Sequence, residues 1–411
     1  GMQRLGLAAD SIIGARLAEC GFDVLVRDDG LWATGPDGDY DDKSSPYNEY
    51  LREKGYEAEN PWHDFANAGI DDDGNIASGW IYANGNKPAN IREEDSETPW
   101  LTREMIRFLD EGAPKRERPW MCHLSYIKPH WPYIVPAPYH NMYRADSFLP
   151  VTRHEDELAD PNPVYAAFSN NVIGTAFKQD AVRESALGAY MGLIKQIDDQ
   201  MGLLFKQLRD SGQLDDTVIV ITSDHGDYLG DHWLGEKDLF HDPSVRVPMI
   251  IYDPSPEADA TRGTVCDALV ESIDLVPTFV EIAGGTPRDE WLEGRSLMPL
   301  LRGEKPSDWR DYAVSEYDYS ITPMSGRLGL APKDARLFMV TDDRWKFMHA
   351  EGGFPPMLFD LQNDPKELND LGRDPAYGEA VAACYDKLFE WARRCAQRTT
   401  VSDRQLLDRR G

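Results

Sequence analysis

Basic residues are scarce in this sequence: 43 Lys and Arg stand against 72 Asp and Glu, a formal net charge of -29. Sequence-independent affinity for nucleic acid or an anionic membrane surface needs clustered cations, so neither is expected as a partner. An anionic ligand would need a cation placed locally. No apolar run approaches the roughly 18 residues of a membrane span, and no basic-then-apolar leader opens the chain. Cysteine is sparse as well. The five thiols, Cys20, Cys122, Cys266, Cys384 and Cys395, are widely spaced and odd in number. That usage fits reduced thiols in a cytoplasmic protein better than a disulfide or zinc framework. Repeats and low-complexity tracts are missing too. What is present, 411 residues of which 41% are apolar, suffices for one large domain and a smaller one.

Taken in order, Ser11 to Glu19 reads as a short helix and Phe22 to Val26 as a strand, an αβ unit without a first β-strand. Residues 28–97 are rich in Gly, Asp, Asn and Pro and read as a long irregular insertion, of the kind that shapes a site or interface. Thr98-Pro99 predicts an N-cap and first turn for a helix reaching Glu111, and Trp120 to Tyr126 predicts a strand. Residues 137–180 read as irregular. Leu187, Tyr190, Met191, Ile194, Ile197, Met201, Leu204 and Leu208 fall at steps of three and four, the pattern of a long amphipathic helix closed by Gly212.

Next comes Thr217-Val218-Ile219-Val220-Ile221-Thr222, a β-branched run that predicts a buried parallel strand delivering Asp224 and His225 at its carboxyl edge. Arg246 to Tyr252 predicts another strand, and Ser272 to Ala283 a helix with Pro277 in its first turn. Polar text from Arg302 to Arg310 marks a boundary, giving domains 1–304 and 305–411. Beyond it, Tyr312 to Tyr317, Leu337 to Thr341, Trp345 to His349 and Met357 to Leu361 predict short strands, and Gly378 to Gln397 a closing helix. That is an antiparallel α+β subdomain.

Asp224 and His225 can both reach one ion only if the strand has already turned at Gly226. A carboxylate with a neutral imidazole suits one divalent metal ion such as Mn, Ca, Mg or Zn, with further donors supplied from elsewhere. Lys237, in a following loop, is the cation that could neutralise a sulfuryl or phosphoryl oxygen, although most lysines in loops are solvated. His130, fixed by Pro129 and Pro132, is either a partner for loop carbonyls or a group that meets a leaving oxygen. His232 and His241 read as structural hydrogen-bonding groups.

In combination, Thr222 to His232, Lys237, Asp242 to Pro248, Lys128-Pro129-His130-Trp131-Pro132, Ser272 to Thr278 and Pro356 to Leu371 closely resemble the sulfatase family of the alkaline phosphatase superfamily. The phosphonate monoester hydrolase and arylsulfatase branch is the most similar. The resemblance implies an α/β fold: an alkaline-phosphatase-like sandwich with a large, mostly parallel sheet flanked by helices, plus a smaller C-terminal α+β subdomain. It further implies that Asp224 and His225 bind the metal, that Lys237 holds the sulfate or phosphonate oxygens, and that His130 binds the substrate or protonates its leaving oxygen. The substrate class is a small anionic ester.

Three departures qualify the expectation. The family's formylglycine arises from a Cys-x-Pro-x-Arg motif, and none of the five cysteines is followed by such a pattern. No strand-ending Asp-Asp pair precedes Ser11 to complete a metal site. Where many sulfatases have Gly-Lys-x-His, this chain has Arg27-Asp28-Asp29, so Arg27 is the substitute anion contact. The expected function is therefore a sulfatase-like, metal-dependent hydrolase of sulfate, phosphonate or phosphate esters that is inactive as these 411 residues stand, its amino-terminal nucleophile segment being missing. The alternative is a truncated homologue acting as a binding or scaffold protein. A missing central strand would expose sheet edge, so a homo-oligomer is expected.

Overall fold

The longest helix of the chain forms where the three-and-four periodicity is longest. The computed structural model describes residues 18–19, 22–26, 28 and 45–395, and in it that helix runs Asp180–Asp210. Ala186, Ala189, Leu193, Leu204 and Leu208 are buried along one stripe. The structure divides into two compact units, one made of Gly1–Leu149 with Gln179–Gln213 and the other of Pro150–Lys178 with Leu214–Gly411. The boundary expected at 304/305 falls inside the second.

In the first unit, Ser45 caps the helix Pro46–Glu53 by accepting the Asn48 N–H, with proline at the first turn where its missing donor is harmless. Tyr47, Leu51, Trp62, Trp100 and Ile134 form the core. The hairpin Ala68–Ile70 with Ile76–Ser78 and the helix Glu97–Arg107 complete it. The stretch read as an irregular insertion thus contains a helix and a hairpin. The helix expected from an N-cap at Thr98 begins two residues earlier, at Glu97 after Ser96, with Pro99 still in the first turn.

Four further expectations are corrected here. Ala18–Glu19, read as the end of a helix, is a strand paired with Phe22–Asp23, while residues 11–17 lie outside the described residues. Trp120 to Tyr126 alternates between half-buried and exposed residues, yet joins no ladder among the described residues. Alternation marks the capacity to pair, and pairing needs a neighbour. In the second unit, Ile219–Thr222 pairs antiparallel with Met249–Tyr252 and is half-buried, where a buried parallel strand was expected. Residues 137–180 include the helices Pro163–Ser169 and Val172–Phe177.

The carboxy-terminal subdomain follows the sequence reading closely. Ala313–Asp318, Arg336–Thr341, Trp345–Ala350 and Met357–Asp360 form a four-stranded antiparallel sheet in consecutive order. The helix Gly378–Arg394 lays Cys384 and Leu388 over Val340, Phe347 and Leu358. On the opposite side Leu337, Met339, Met348 and Phe359 pack with Tyr165, Phe168, Tyr228 and Leu239. The two-layer arrangement buries both faces of the sheet.

Candidate anion and metal site

The turn after Ile219–Thr222 is held by two short-range hydrogen bonds and by one tie to Ser244. Ser223 Oγ donates to the His225 carbonyl at 2.6 Å, the His225 N–H to Asp224 Oδ1 at 3.0 Å, and the Gly226 N–H to the Ser244 carbonyl at 2.7 Å. A Cβ at Gly226 would lie 2.0 Å from the Pro243 carbonyl oxygen, so only glycine lets these backbones approach. The strand therefore turns at Gly226, which is the condition under which Asp224 and His225 can share an ion.

His225 Nδ1 lies 2.7 Å from the Gly226 carbonyl oxygen. An acceptor there fixes the proton on Nδ1 and leaves the ring's lone pair on Nε2, the tautomer that metal-binding histidines adopt. Nε2 stands 3.5 Å from Asp224 Oδ2, a separation that two donors at about 2.0 to 2.4 Å from one ion can span. Asp224 is exposed and His225 half-buried. Among the described residues no group of three or more His, Cys, Asp or Glu is placed to hold a metal. The pair thus fits one divalent ion as part of a donor set, and any further donors lie outside what the described residues bring to it.

The loop beyond is strained. Leu229, His232, Trp233 and Glu236 all adopt positive φ, a concentration of left-handed non-glycine residues that marks a conformation imposed by its surroundings. Thr152 is the clasp: its N–H donates to Asp231 Oδ1 and its carbonyl accepts the His232 N–H, both at 2.7 Å. His232 Nδ1 meets Glu157 Oε1 at 2.8 Å, and His241 Nδ1 meets the Tyr228 hydroxyl at 2.8 Å. The two imidazoles stack at 4.2 Å inside the protein. Both histidines serve the loop structurally, and burial, with charge from His232 and Lys346, holds the His241 pKa well below that of a free imidazole.

Lys237 is half-buried, and Ser244 Oγ donates to its carbonyl at 2.9 Å. Its neighbour Asp238 feels the charges of both Lys237 and His225; burial pushes the Asp238 carboxyl up, while the Tyr317 hydroxyl donates to it at 3.2 Å. His225, Lys237 and Asp238 are thus parts of one electrostatic neighbourhood in the second unit.

His130 belongs to the first unit. Its Nδ1 lies 2.7 Å from the Trp131 carbonyl oxygen, so the loop carbonyl sets this tautomer too. The loop is secured from inside by Lys128, which is buried and donates to Asn67 Oδ1 at 2.8 Å and to the Pro132 carbonyl at 2.7 Å. Lys128 lines a cavity of about 10 Å³ together with Asn67, Glu97 and Gln196. Both Glu97 carboxylate oxygens are buried beside it. Burial raises the Glu97 pKa, reinforced by Asp28 and opposed by Lys128; burial likewise lowers that of Lys128. Arg27 lies outside the described residues.

The sequence reading missed Lys346, Glu367, Glu97 and the role of Lys128. A lysine in the apolar run Trp345-Lys346-Phe347-Met348 was the available signal. Residues 45–285 match the sulfatase family model, and residues 230–394 match the model of the N-sulphoglucosamine sulphohydrolase C-terminal region. The chain is 35% identical over 329 residues to the multifunctional alkaline phosphatase superfamily protein PehA of Trinickia caryophylli, covering 76% of this chain and 62% of that protein. It is 29% identical to an arylsulfatase of Clostridium perfringens, covering 88% and 70%. The solved phosphonate monoester hydrolase of Silicibacter pomeroyi superposes with a TM-score of 0.74 at 31% identity, covering 85% of this chain and 69% of that one. This chain therefore spans just under two thirds of the length of PehA.

Proposed function

The chain belongs to the sulfatase family, and from that premise we propose that it binds a sulfate, phosphonate or phosphate monoester beside one divalent metal ion. The observation that carries this reading is the Asp224–His225 pair, with His225 Nε2 presented 3.5 Å from Asp224 Oδ2 and its tautomer set by the Gly226 carbonyl. Asp224 and His225 would hold the ion, Mn, Ca, Mg or Zn. When bound, that ion supplies positive charge toward an ester oxygen.

Lys237 would hold the remaining anionic oxygens, with Arg27 as a further contact. His130, its Nδ1–H directed to the Trp131 carbonyl, presents Nε2 as the nitrogen that would carry a proton toward a leaving oxygen. No cysteine of the 411 residues lies in a formylglycine motif. We therefore propose that this chain binds the ester and does not turn it over, because covalent catalysis needs its nucleophile. Its compartment is proposed to be the cytoplasm, on its sparse, unpatterned cysteine usage.

The test is a metal titration and an anion titration on the full chain, with Asp224→Ala and Lys237→Ala beside it. The expected result is one ion bound in the wild type and lost in Asp224→Ala, and phenylphosphonate binding weakened in Lys237→Ala. Unchanged metal content in Asp224→Ala would overturn the site. Turnover of p-nitrophenyl sulfate or a phosphonate monoester, abolished by Asp224→Ala, would overturn the inactivity. Metal and anion binding both absent would leave the scaffold reading.

A further inference from the structure

Lysine is among the side chains least often buried completely, and Lys346 in the strand Trp345–Ala350 is only 1% exposed. Its ammonium stands 2.5 Å from Asp242 Oδ1 and 2.7 Å from Glu367 Oε1. The Glu367 contact is a buried ion pair, and the Lys346 charge opposes the upward push that burial gives the Glu367 carboxyl. The other Glu367 oxygen accepts the Asp242 N–H at 2.7 Å. Glu367 is itself held at a φ of 53°, a left-handed conformation that is uncommon for a side chain of this size. Lys346, Asp242 and Glu367 close a triangle in which each partner is fixed by the other two.

Asp242 opens the short helix Asp242–Val245, and that helix is where the site loops are tied down. The Ser244 carbonyl accepts the N–H of Gly226, the residue after His225, at 2.7 Å. Ser244 Oγ donates to the Lys237 carbonyl at 2.9 Å. The Pro243 carbonyl oxygen fills the space that a Cβ at Gly226 would take. One four-residue helix therefore touches both the Asp224–His225 turn and the Lys237 loop, and its first residue is gripped by a buried cation from the carboxy-terminal sheet.

We infer that Lys346 is a positioning residue: through Asp242 and Ser244 it sets the placement of the Asp224–His225 turn and of Lys237. What that placement serves rests on the proposed function. A buried charge triad is a poor source of stability compared with apolar packing, but it tolerates only a narrow geometry. Three apolar side chains in their place could cement the sheet to the helix equally well, whereas they would let it slide. The carboxy-terminal subdomain thereby becomes part of the site without contributing a residue that meets the ligand.

Amide hydrogen exchange on the full chain tests this without any need for activity. In Lys346→Met the Gly226 amide is expected to exchange at least about tenfold faster, while the sheet amides of Val340 and Leu358 stay within about twofold of wild type. Unaltered Gly226 exchange, or a uniform rise across the sheet, overturns the inference, because a merely structural lysine would loosen its own sheet first. Lys346→Arg, which keeps the charge, is expected to restore most of the Gly226 protection.

Calorimetric titration with phenylphosphonate separates this inference from the reading it rests on. If Lys237→Ala binds the probe as wild type does, the proposed role of Lys237 fails, and the exchange result decides the positioning of the turn by itself. If Lys237→Ala weakens binding and Lys346→Met leaves it unchanged, placement is not transmitted and the inference is overturned. Should Lys346→Met not fold, Ser244→Ala carries the same test. It removes only the tie to the Lys237 carbonyl and is expected to weaken the probe several-fold at an unchanged melting temperature; unchanged binding there overturns the inference.

Discussion

Replacing Lys128 with methionine keeps the length and apolar stem of the side chain and removes one buried charge. Three groups are left without their partner: Asn67 Oδ1, the Pro132 carbonyl, and the Glu97 carboxylate, whose charge Lys128 offsets. Leaving a buried charge uncompensated costs about 3–5 kcal/mol, and each orphaned neutral acceptor about 1 kcal/mol. The two parts respond differently to pH. Glu97 in the folded protein binds its proton more tightly than in the unfolded chain, because burial and Asp28 raise its pKa, and losing Lys128 raises it further.

Between the unfolded and folded pKa values the folded state keeps a proton that the unfolded chain has released. Stability is therefore greatest below the unfolded value and falls as pH rises through that window, by about 1.4 kcal/mol per unit. Lys128→Met should cost about 2 kcal/mol near pH 5.5, where Glu97 is neutral and only the two orphaned acceptors remain, and about 3–4 kcal/mol near pH 8, because proton uptake by Glu97 limits the added charge penalty to about 1.4 kcal/mol per unit above its folded pKa of about 7. The assay is urea unfolding of wild type, Lys128→Met, Glu97→Gln and the double variant, with slopes compared to verify that the same surface unfolds. Glu97→Gln in the Lys128→Met background should abolish the pH dependence. An equal loss at both pH values, or no rescue by Glu97→Gln, would refute the idea that Lys128 and Glu97 form a coupled pair.

Other outcomes follow from the same structure. His241 is buried with its pKa depressed, so acid favours the unfolded chain: stability should fall below about pH 6.5 by up to 1.4 kcal/mol per unit, and His241→Gln should remove about one proton from that slope. Arg310 donates bidentately to the fully buried Asp274, at 2.5 Å through Nη2; Arg310→Met should cost about 3–5 kcal/mol in denaturant, and Arg310→Lys should recover little of it because an ammonium cannot reproduce the fork. Ile250, Val265 and Val276 are 58%, 88% and 50% exposed, and apolar surface of this kind on one unit favours association. Light scattering should give a mass above the 46.5 kDa chain, and Ile250→Glu with Val276→Glu should return it to that of one chain; a monomeric wild type would contradict this.

The parts of the fold that sequence exposed were those decided by local pattern. The helix Asp180–Asp210 follows from a stripe that repeats over its whole length, and the four strands Ala313–Asp318 to Met357–Asp360 follow from short apolar runs separated by turns. The Asp224–His225 turn was legible as well, because Gly226 must bend the chain for both groups to meet one ion. Pairing was not legible. Ile219–Thr222 is β-branched enough to be a strand in any sheet, and nothing within its own residues selects an antiparallel neighbour such as Met249–Tyr252 over a parallel one. Trp120 to Tyr126 alternates as a strand should, and still joins no ladder among the described residues.

Buried charge was the least legible feature, for a reason that Lys346 makes plain. Along a strand a lysine reads as the solvent face, because only partners elsewhere can make its burial tolerable. Those partners are Asp242, separated by 104 positions, and Glu367. Lys128 poses the same problem, with Asn67 separated from it by 61 positions. Lys128 stands two positions before His130 in sequence, where a cation invites the assumption that it meets the ligand. Burial argues the reverse: an ammonium already donating to two fixed acceptors has spent its geometry on the loop that carries His130, as Lys346 has on the helix behind Gly226 and Lys237. Lys237, half-buried and held through its backbone carbonyl by Ser244 Oγ, is the lysine that the proposed function assigns to the ligand.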